Sequence, residues 1–267
     1  MRGVMSLRRG QYLVAPLLLG AILAAWEIGV RVLAIPPLIL PRPLQVVGAI
    51  WADADRLLGH TWVTTYEIAS GFLVGAVLGI GTALLMTQFP ALRSAIYPLI
   101  IASQTTPKIA IAPLLIIWFG VGIYPKILTV ALLAFFPVLI NTIVGIESTD
   151  EGHVNLMRSV YASEAQIYRH IRLPTAVPYV FAGLKLGVTV SVIGAIVAEW
   201  VASTRGLGYL LLFYTQYLDM VRTFAVLVVL MALGVGLFAA TALVERLVSW
   251  ERRVRRGARV TTVETNL

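Results

Sequence analysis

The chain has 267 residues, of which 59% are hydrophobic and 13% are charged, and its mean hydropathy is +0.88. Since an ordinary soluble domain carries about 25% charged residues, this composition excludes a soluble protein and predicts an all-α integral membrane protein. The net charge of +8 is spread between apolar stretches, which argues against a nucleic-acid surface, and the absence of cysteine excludes disulfides and thiolate metal sites.

Six apolar stretches follow one another along the chain, each long enough to cross a bilayer core about 30 Å thick. They form a single transmembrane domain, residues 1–267. The first apolar run follows a basic start, as in a secretory signal, but it continues to about Ala34 and is predicted to be an uncleaved span. The predicted spans are residues 12–34, 64–87, 95–119, 124–146, 177–200 and 222–246.

Basic residues are unevenly distributed between the two sides of these spans. If the N-terminus is cytoplasmic, most of the 21 Lys and Arg residues lie on the cytoplasmic side, including those of a basic tail at 247–267. The positive-inside rule therefore predicts that both termini are cytoplasmic. The longest cytoplasmic segment is then 147–176. On the opposite side, residues 35–63 contain either an interfacial amphipathic helix or a plain connector.

Two spans carry small residues at four-residue spacing, which lets a neighbouring helix approach closely and gain dispersion contacts. We expect these rows to pack within the chain, with a subunit interface as the alternative. In the first span, Glu27 and Arg31 are four residues apart and are expected to form a structural ion pair. The residues assigned to helix packing are Gly71, Gly75, Gly79, Gly183 and Gly187.

The third span is interrupted by the polar, proline-containing stretch SQTTPKIAIAP at 103–113. Proline breaks the helical hydrogen-bond ladder, and the freed carbonyls need partners in the protein or in a water-filled cavity. A solute path is one interpretation, and an ion pair of Lys108 with Glu67 or Glu199 is the other. The two glutamates are also candidates to line an outer vestibule. The residues assigned to the path are Ser103, Gln104, Thr105, Thr106, Pro107, Lys108 and Glu199.

The segment 147–176 contains two capping-box spacings, Ser148 with Glu151 and Ser163 with Gln166. They predict short helices at about 149–160 and 164–172, the second ended by Pro174. Leu156, Met157 and Val160 form an apolar stripe on the first helix. This stripe is suited either to docking on a partner or to lying on lipid headgroups.

Sequence motifs for catalysis are missing from the chain. There is no G-x-x-x-x-G-K-[ST], G-x-S-x-G or H-E-x-x-H, and the three histidines fall outside the apolar stretches. The chain is therefore predicted not to be an enzyme but to move a solute. The alternatives are an ion-coupled secondary transporter, which uses inverted repeats and intramembrane carboxylates, and a non-transporting membrane scaffold.

The run from Asn155 to Pro174 resembles the cytoplasmic signature of binding-protein-dependent ABC transporter permeases. That signature is Glu-Ala-Ala, three residues, Gly, nine residues, Ile, one residue and Leu-Pro. Ile171, Leu173 and Pro174 are in register, whereas Asn155, Leu156 and Met157 replace Glu-Ala-Ala. Tyr161 stands at the glycine position and lacks the freedom of glycine to adopt positive φ, so the turn geometry of the family does not carry over directly.

The rest of the chain is similar to the nitrate, sulfonate, taurine and bicarbonate branch of this family, over about residues 36–250. The matching stretches are LPRPLQV at 40–46, APLLIIWFGVG at 112–122, FFPVLINT at 135–142, and IGAIVAEW with RGLGY at 193–209.

This resemblance implies an importer-permease fold in the cell (inner) membrane and a permease subunit of an ATP-driven importer. The implied partners are a second permease copy in a homodimer, two cytoplasmic ATPase subunits, a periplasmic or lipid-anchored solute-binding protein, and membrane lipid. ATP and Mg would bind to the ATPases, and this chain would hold no cofactor. The solute would be a sulfonate- or nitrate-like anion, or a heterocycle similar to vitamins, pyrimidines or riboflavin. The residues implied in ATPase coupling are Asn155, Leu156, Met157, Arg158, Tyr161, Ala162, Ser163, Ile171, Leu173 and Pro174.

Overall fold

A computed structural model describes the backbone of residues 3–257 and the side chains of residues 14–201 and 203–248. Residues 258–267 of the predicted basic tail, and Arg2, lie outside this range. Within it the chain is helical, with no strand. The helices are α1 (Gly3–Val32), α2 (Pro43–Ala52), α3 (Ala54–Gln88), α4 (Pro90–Thr105), α5 (Ala112–Phe119), α6 (Ile123–Glu147), α7 (Glu151–Ser159), α8 (Glu164–Ile167), α9 (Leu173–Ala202), α10 (Leu207–Gln216) and α11 (Met220–Gly257), with a 3₁₀ turn at Lys108–Ile111 and a π turn at Tyr168–Arg172.

Five helical units of the described chain are long and apolar enough to cross a membrane: α1, α3, α6, the unit from α8 to α9, and α11. A sixth crossing is made by α4 and α5, which are bent by 91° at the break between them. Arg93, near the start of α4, pairs at 2.7 Å with Glu147 at the end of α6, while α5 leads through residues 120–122 into the start of α6. The bent pair thus begins at one end of α6 and finishes at the other. The predicted all-α fold with about six spans is confirmed.

The segments that connect the spans lie at the two ends of the bundle, which are called the loop end and the far end. The loop end carries residues 148–172, and the far end carries residues 33–53 and 203–219. At the far end Arg222 Nε donates to Asp53 Oδ2 at 2.6 Å, which joins α11 to the junction of α2 and α3. Leu57, Leu207 and Leu210 belong to a buried apolar cluster at this end.

The helix α6 lies in the middle of the bundle, between α3 and α9. A Cβ added to Gly75 would lie 2.5 Å from the carbonyl oxygen of Ala131, and one added to Gly183 would lie 3.0 Å from that of Pro137. Because neither glycine has a side chain, both helices approach the α6 backbone closely and gain dispersion contacts along its length. The remaining glycines of the two rows also meet atoms of α6 within the chain: they are Gly71, Gly79 and Gly187.

The first connecting segment is more ordered than a plain connector. Pro43 begins α2, where its missing N–H costs no helical hydrogen bond. The carboxylate of Glu27 accepts from Arg31 Nε at 2.7 Å and from the backbone N–H of Leu44 at 3.2 Å, so the expected ion pair also ties α1 to the first turn of α2. The next helix begins at Ala54, ten residues before the predicted span, because its first turns pack against α10 and α11 rather than lipid.

Helical backbone continues from Glu164 through the π turn into α9 and ends at Ala202. The prediction that Pro174 ends the helix is therefore wrong. In the π turn the N–H of Leu173 bonds to the carbonyl of Tyr168, five residues back. This wider turn places Pro174 in the first turn of α9, where a proline needs no backbone donor.

Candidate functional site

The break between α4 and α5 is built from prolines and short polar side chains. α4 ends at Thr105, and Thr106 is extended with ψ 130°. Pro107 has no N–H to continue the ladder, whereas Pro113 fits the first turn of α5. Two hydroxyls at the end of α4 satisfy carbonyls of the preceding turn: Ser103 Oγ donates to Ile100 O and Thr105 Oγ1 donates to Ala102 O, both at 2.7 Å.

Lys108 lies at the break and at mid-depth in the bundle. Its Nζ is 4.6 Å from the ring centroid of Phe136, which lies near the middle of the 25-residue helix α6. A cation–π contact is worth roughly 0.5–2 kcal/mol. A midplane cation costs about 2.5–3.5 kcal/mol on insertion scales. The ring therefore offsets only part of the cost of this charge.

The suggested ion pair of Lys108 with Glu67 is wrong, because Glu67 has another partner. Lys126 Nζ donates to Glu67 Oε1 at 2.7 Å and to Ser203 Oγ at 2.8 Å. Both charged side chains are buried, and together they join α3, the start of α6 and the segment after α9. Lys126 was not identified from the sequence as the partner of Glu67. The one available signal was its position directly after Pro125 at the start of an apolar helix.

Glu199 is held by a separate set of donors at the far end. Its carboxylate accepts from Thr64 Oγ1 at 2.7 Å and from the backbone N–H groups of Gly208 at 2.6 Å and Tyr209 at 3.1 Å, in the first turn of α10. A helix N-terminus favours a carboxylate by its orphan donors and dipole. Glu67 and Glu199 are each 1% exposed, so the expectation that they line an open vestibule or path is wrong, as is a pair of Glu199 with Lys108.

The backbone of Gly206 makes this arrangement possible. It has φ +115°, and a Cβ there would lie 2.2 Å from the Glu199 carboxylate. Glycine is required for both reasons: the conformation is one that other residues rarely adopt, and the space is occupied. The motif RGLGY, noted in the sequence as part of the resemblance, therefore has a structural role around Glu199.

At the loop end, α7 begins at a different cap from the one predicted. The N-cap is Asp150, whose Oδ1 accepts from the N–H of Gly152 at 2.8 Å. Ser148 is not the cap, because its Oγ donates to the carbonyl of Gly145 at 2.9 Å, in the last turn of α6. The second capping box is confirmed, with Ser163 and Gln166 bonded reciprocally at the start of α8.

The turn after α7 is a Schellman motif centred on Tyr161. The N–H of Tyr161 bonds to the carbonyl of Arg158 at 2.9 Å, and the N–H of Ala162 bonds to that of Met157 at 3.0 Å. Tyr161 has φ +57°. The tyrosine thus adopts the left-handed conformation typical of glycine at this position. The Schellman turn therefore forms although Tyr161 replaces the glycine of the family signature.

Contacts on its inner side fix the loop to the bundle. Val154 and Ile167 are buried, and Tyr168 Oη lies 3.0 Å from Thr87 Oγ1 at the end of α3. Arg158 reaches across the turn to Glu164, with its Nη2 2.8 Å from the carboxylate. The two short helices are therefore held as one unit against the bundle.

The outer side of the loop is apolar and exposed. Leu156, Val160 and Tyr161 are 65%, 66% and 96% exposed, and these three residues are called the loop patch. Met157, predicted to share their stripe, is half-buried. Of the other residues implied in coupling, Asn155, Arg158 and Ser163 are exposed, and Ala162, Ile171, Leu173 and Pro174 are partly buried.

A bundle of up to six membrane-crossing helices, with a polar break at mid-depth in one crossing and an ordered amphipathic loop at one end, has the architecture of a membrane transport subunit. A family model described as "Binding-protein-dependent transport system inner membrane component" matches residues 75–253. Since this is more than half of the chain, the chain belongs to that family of ABC transporter permeases.

Individual relatives agree with the family. The chain is 35% identical over 234 residues to the formylaminopyrimidine transport permease protein ThiX of Halalkalibacterium halodurans, covering 87% of this chain and 93% of that protein. It is 34% identical over 253 residues to the riboflavin transport system permease protein RibX of Chloroflexus aurantiacus, covering 93% and 94%. It is 30% identical over 250 residues to the taurine transport system permease protein TauC of Escherichia coli, covering 89% of each.

The fold is also similar to a solved structure, an inward-facing conformation of the MetNI methionine ABC transporter. The TM-score is 0.62 at 19% identity, over 73% of this chain and 97% of that one. The chain is thus the membrane-spanning permease subunit of an ABC importer. It is a transport subunit of the inner membrane, and ATP hydrolysis resides in its partner subunits.

Proposed function

We propose that the solute crosses the membrane along the break between α4 and α5. The exposed polar side chains at mid-depth carry this proposal, because hydroxyl and amide groups in lipid are costly and are retained where they face water or a solute. Gln104, Thr105 and Thr106 are exposed and Lys108 is half-buried. The path residues are Ser103, Gln104, Thr105, Thr106, Pro107 and Lys108, and Glu199 is left out because it is fully buried.

The loop patch is the contact surface for the ATPase. Three large side chains exposed side by side on an ordered loop form a surface that a partner protein can cover. Since the loop is fixed to α3 and runs directly into α9, a push on it is transmitted into the bundle. The residues implied in coupling are distributed around this patch.

The orientation of the chain in the membrane follows from assigning the loop patch to the ATPase. With the ATPase at the loop end, that end is cytoplasmic, both termini are cytoplasmic, and the far end receives a periplasmic or lipid-anchored solute-binding protein. A second copy of the chain completes the path as a homodimer. The delivered solute belongs to the range named for the relatives, which spans taurine, aliphatic sulfonates, riboflavin and a formylaminopyrimidine.

The test places a charge on the loop patch. Leu156→Asp is expected to abolish co-purification of the cognate ATPase, or its stimulation by the binding protein, because a carboxylate in an apolar contact loses its hydration. The matched control is Leu38→Asp, at the far end, where Leu38 is 53% exposed. This control should leave co-purification of the ATPase unchanged. Normal stimulation of ATP hydrolysis in the Leu156→Asp complex would contradict the assignment.

A further inference from the structure

We propose that Lys108 binds the negatively charged group of the transported solute, and that the solute is a small organic oxyanion. This inference rests on the proposed path along the break. It narrows the range of relatives' solutes to the anionic members. Charge, neighbouring donors and an adjacent apolar cleft support it independently of one another.

The first support is the charge balance inside the predicted spans. The acidic residues within the six spans predicted from the sequence are Glu27, Glu67, Glu199 and Glu245, and each has a partner other than Lys108. Glu27 pairs with Arg31, Glu67 with Lys126 and Glu245 with Lys185. Glu199 accepts from Thr64 and two backbone N–H groups of α10.

Lys108 is therefore a mid-depth cation whose described surroundings offer an aromatic face but no carboxylate. The Phe136 ring compensates part of the burial cost and leaves the positive charge available. A second copy of the chain adds another Lys108, and the acidic residues within its predicted spans have the same partners. A lipid headgroup lies at the membrane surface, so the anion that reaches mid-depth is a solute in transit.

The second support is the set of donors next to Lys108 in the chain. Within the described residues, the side chains of Gln104 and Thr106 have no hydrogen-bond partner, and both are exposed at the break. An amide N–H and a hydroxyl beside an ammonium group are suited to the several oxygens of a sulfonate or carboxylate. A neutral solute would not use the charge.

The third support is a cleft of about 260 Å³ between α3, α5 and α6. It is lined by apolar side chains, among them Leu115 of α5 and Phe135 of α6. Phe135 is in edge-to-face contact with Phe136, with ring centroids 5.0 Å apart. The cleft thus adjoins the aromatic face that holds Lys108, and it can take the carbon skeleton of a solute whose anionic group lies at the ammonium.

The experiment uses the assembled transporter, with its ATPase and binding protein, in phosphatidylcholine vesicles. The sulfonate probes are butanesulfonate, benzenesulfonate and taurine. Butanesulfonamide and benzenesulfonamide are the neutral counterparts of the first two, and riboflavin is a further neutral probe. We expect ATP-dependent accumulation of at least one sulfonate and not of its sulfonamide. Lys108→Met should lower that accumulation at least tenfold, and Lys108→Arg should stay within about threefold of the native chain, since it keeps the charge.

Two results would overturn the inference. One is accumulation of neutral probes only, or of none of the six, by a complex whose ATP hydrolysis responds to the binding protein. The other is native accumulation of a sulfonate by Lys108→Met. Co-purification of the ATPase with each variant shows that the complex is assembled. Failure of the proposed function is seen separately, as a native chain that does not associate with the ATPase or a complex whose ATP hydrolysis does not respond to the binding protein.

Discussion

Lys126 and Glu67 form a buried ion pair with 2.7 Å between Nζ and Oε1, and this pair joins the start of α6 to α3. Removing one partner of a buried pair leaves the other charge without compensation, which costs about 3–5 kcal/mol. We expect Lys126→Met to lower the free energy of unfolding by this amount, and Lys126→Met with Glu67→Gln to recover part of it. Thermal unfolding of the detergent-solubilised protein measures both.

The control for this prediction is the more exposed pair of Glu27 and Arg31. The side chains of Arg31 and Glu27 are 54% and 14% exposed, against 10% and 1% for Lys126 and Glu67, and exposed pairs contribute only about 0–1 kcal/mol. Arg31→Met should therefore have a small effect. Equal losses in Arg31→Met and Lys126→Met would show that burial of the second pair does not set its contribution.

The packing of α3 on α6 predicts opposite effects for two alanine substitutions. Gly75→Ala brings a methyl group to 2.5 Å from the carbonyl oxygen of Ala131, so the helices must separate. We expect a loss of about 1–3 kcal/mol, as for other overpacked sites. Gly81→Ala meets no atom within 4 Å and should be neutral or stabilising by up to about 1 kcal/mol, since alanine favours a helix. Melting temperatures of the two variants test this, and the reverse order would contradict the described interface.

The Schellman motif at Tyr161 predicts that its glycine variant is more stable. A non-glycine residue in the left-handed conformation costs roughly 1–2 kcal/mol, and Tyr161 has φ +57°. Tyr161→Gly should therefore slow amide exchange over residues 151–167, by about fivefold for each 1 kcal/mol gained. Tyr161→Val should speed it, because a β-branched residue is poorly tolerated at positive φ. Equal exchange in the three proteins would mean that the turn stores no strain.

Two glycines with positive φ separate backbone strain from steric conflict. Gly120 has φ +76° and no atom within 4 Å of an added Cβ, whereas an added Cβ on Gly206 meets the Glu199 carboxylate. We expect Gly120→Ala to cost about 1–3 kcal/mol from strain alone. Gly206→Ala should cost more, because it also displaces a buried carboxylate from its donors. Thermal unfolding compares them, and a smaller loss for Gly206→Ala would count against the assigned role of the RGLGY turn.

The amino-acid sequence predicts the spans well, because a continuous apolar run has few structural alternatives in lipid. The packing of Gly71, Gly75 and Gly79 and the pair of Glu27 with Arg31 are also predictable, since both depend on helical spacing alone. The partner of Glu67 was missed, because Lys126 is distant in the sequence and its basicity suggested water. Pro174 was misassigned because the widened turn before it leaves no composition signal.

Helix ends without a glycine are the other feature that sequence rules do not reveal. In the described chain, Ala34, Tyr161 and Leu218 have positive φ just after α1, α7 and α10. Sequence rules identify such ends by glycine, and no glycine stands at these positions. Tertiary contacts, such as Leu57 and Tyr214 in one apolar cluster beside the last of these turns, favour a conformation that local preference disfavours.

The continuous helical unit from Glu164 to Val201 is 38 residues long, or about 57 Å at the usual rise per residue. A tilt of roughly 5° about its midpoint moves each end by about 2.5 Å, in opposite directions. The segment that follows the loop patch and the segment that carries Glu199 thus belong to one continuous helical unit. If a ligand bound at one end of this unit changes the affinity of the other end for its own ligand, the second ligand changes the affinity for the first by the same factor, as thermodynamic linkage requires.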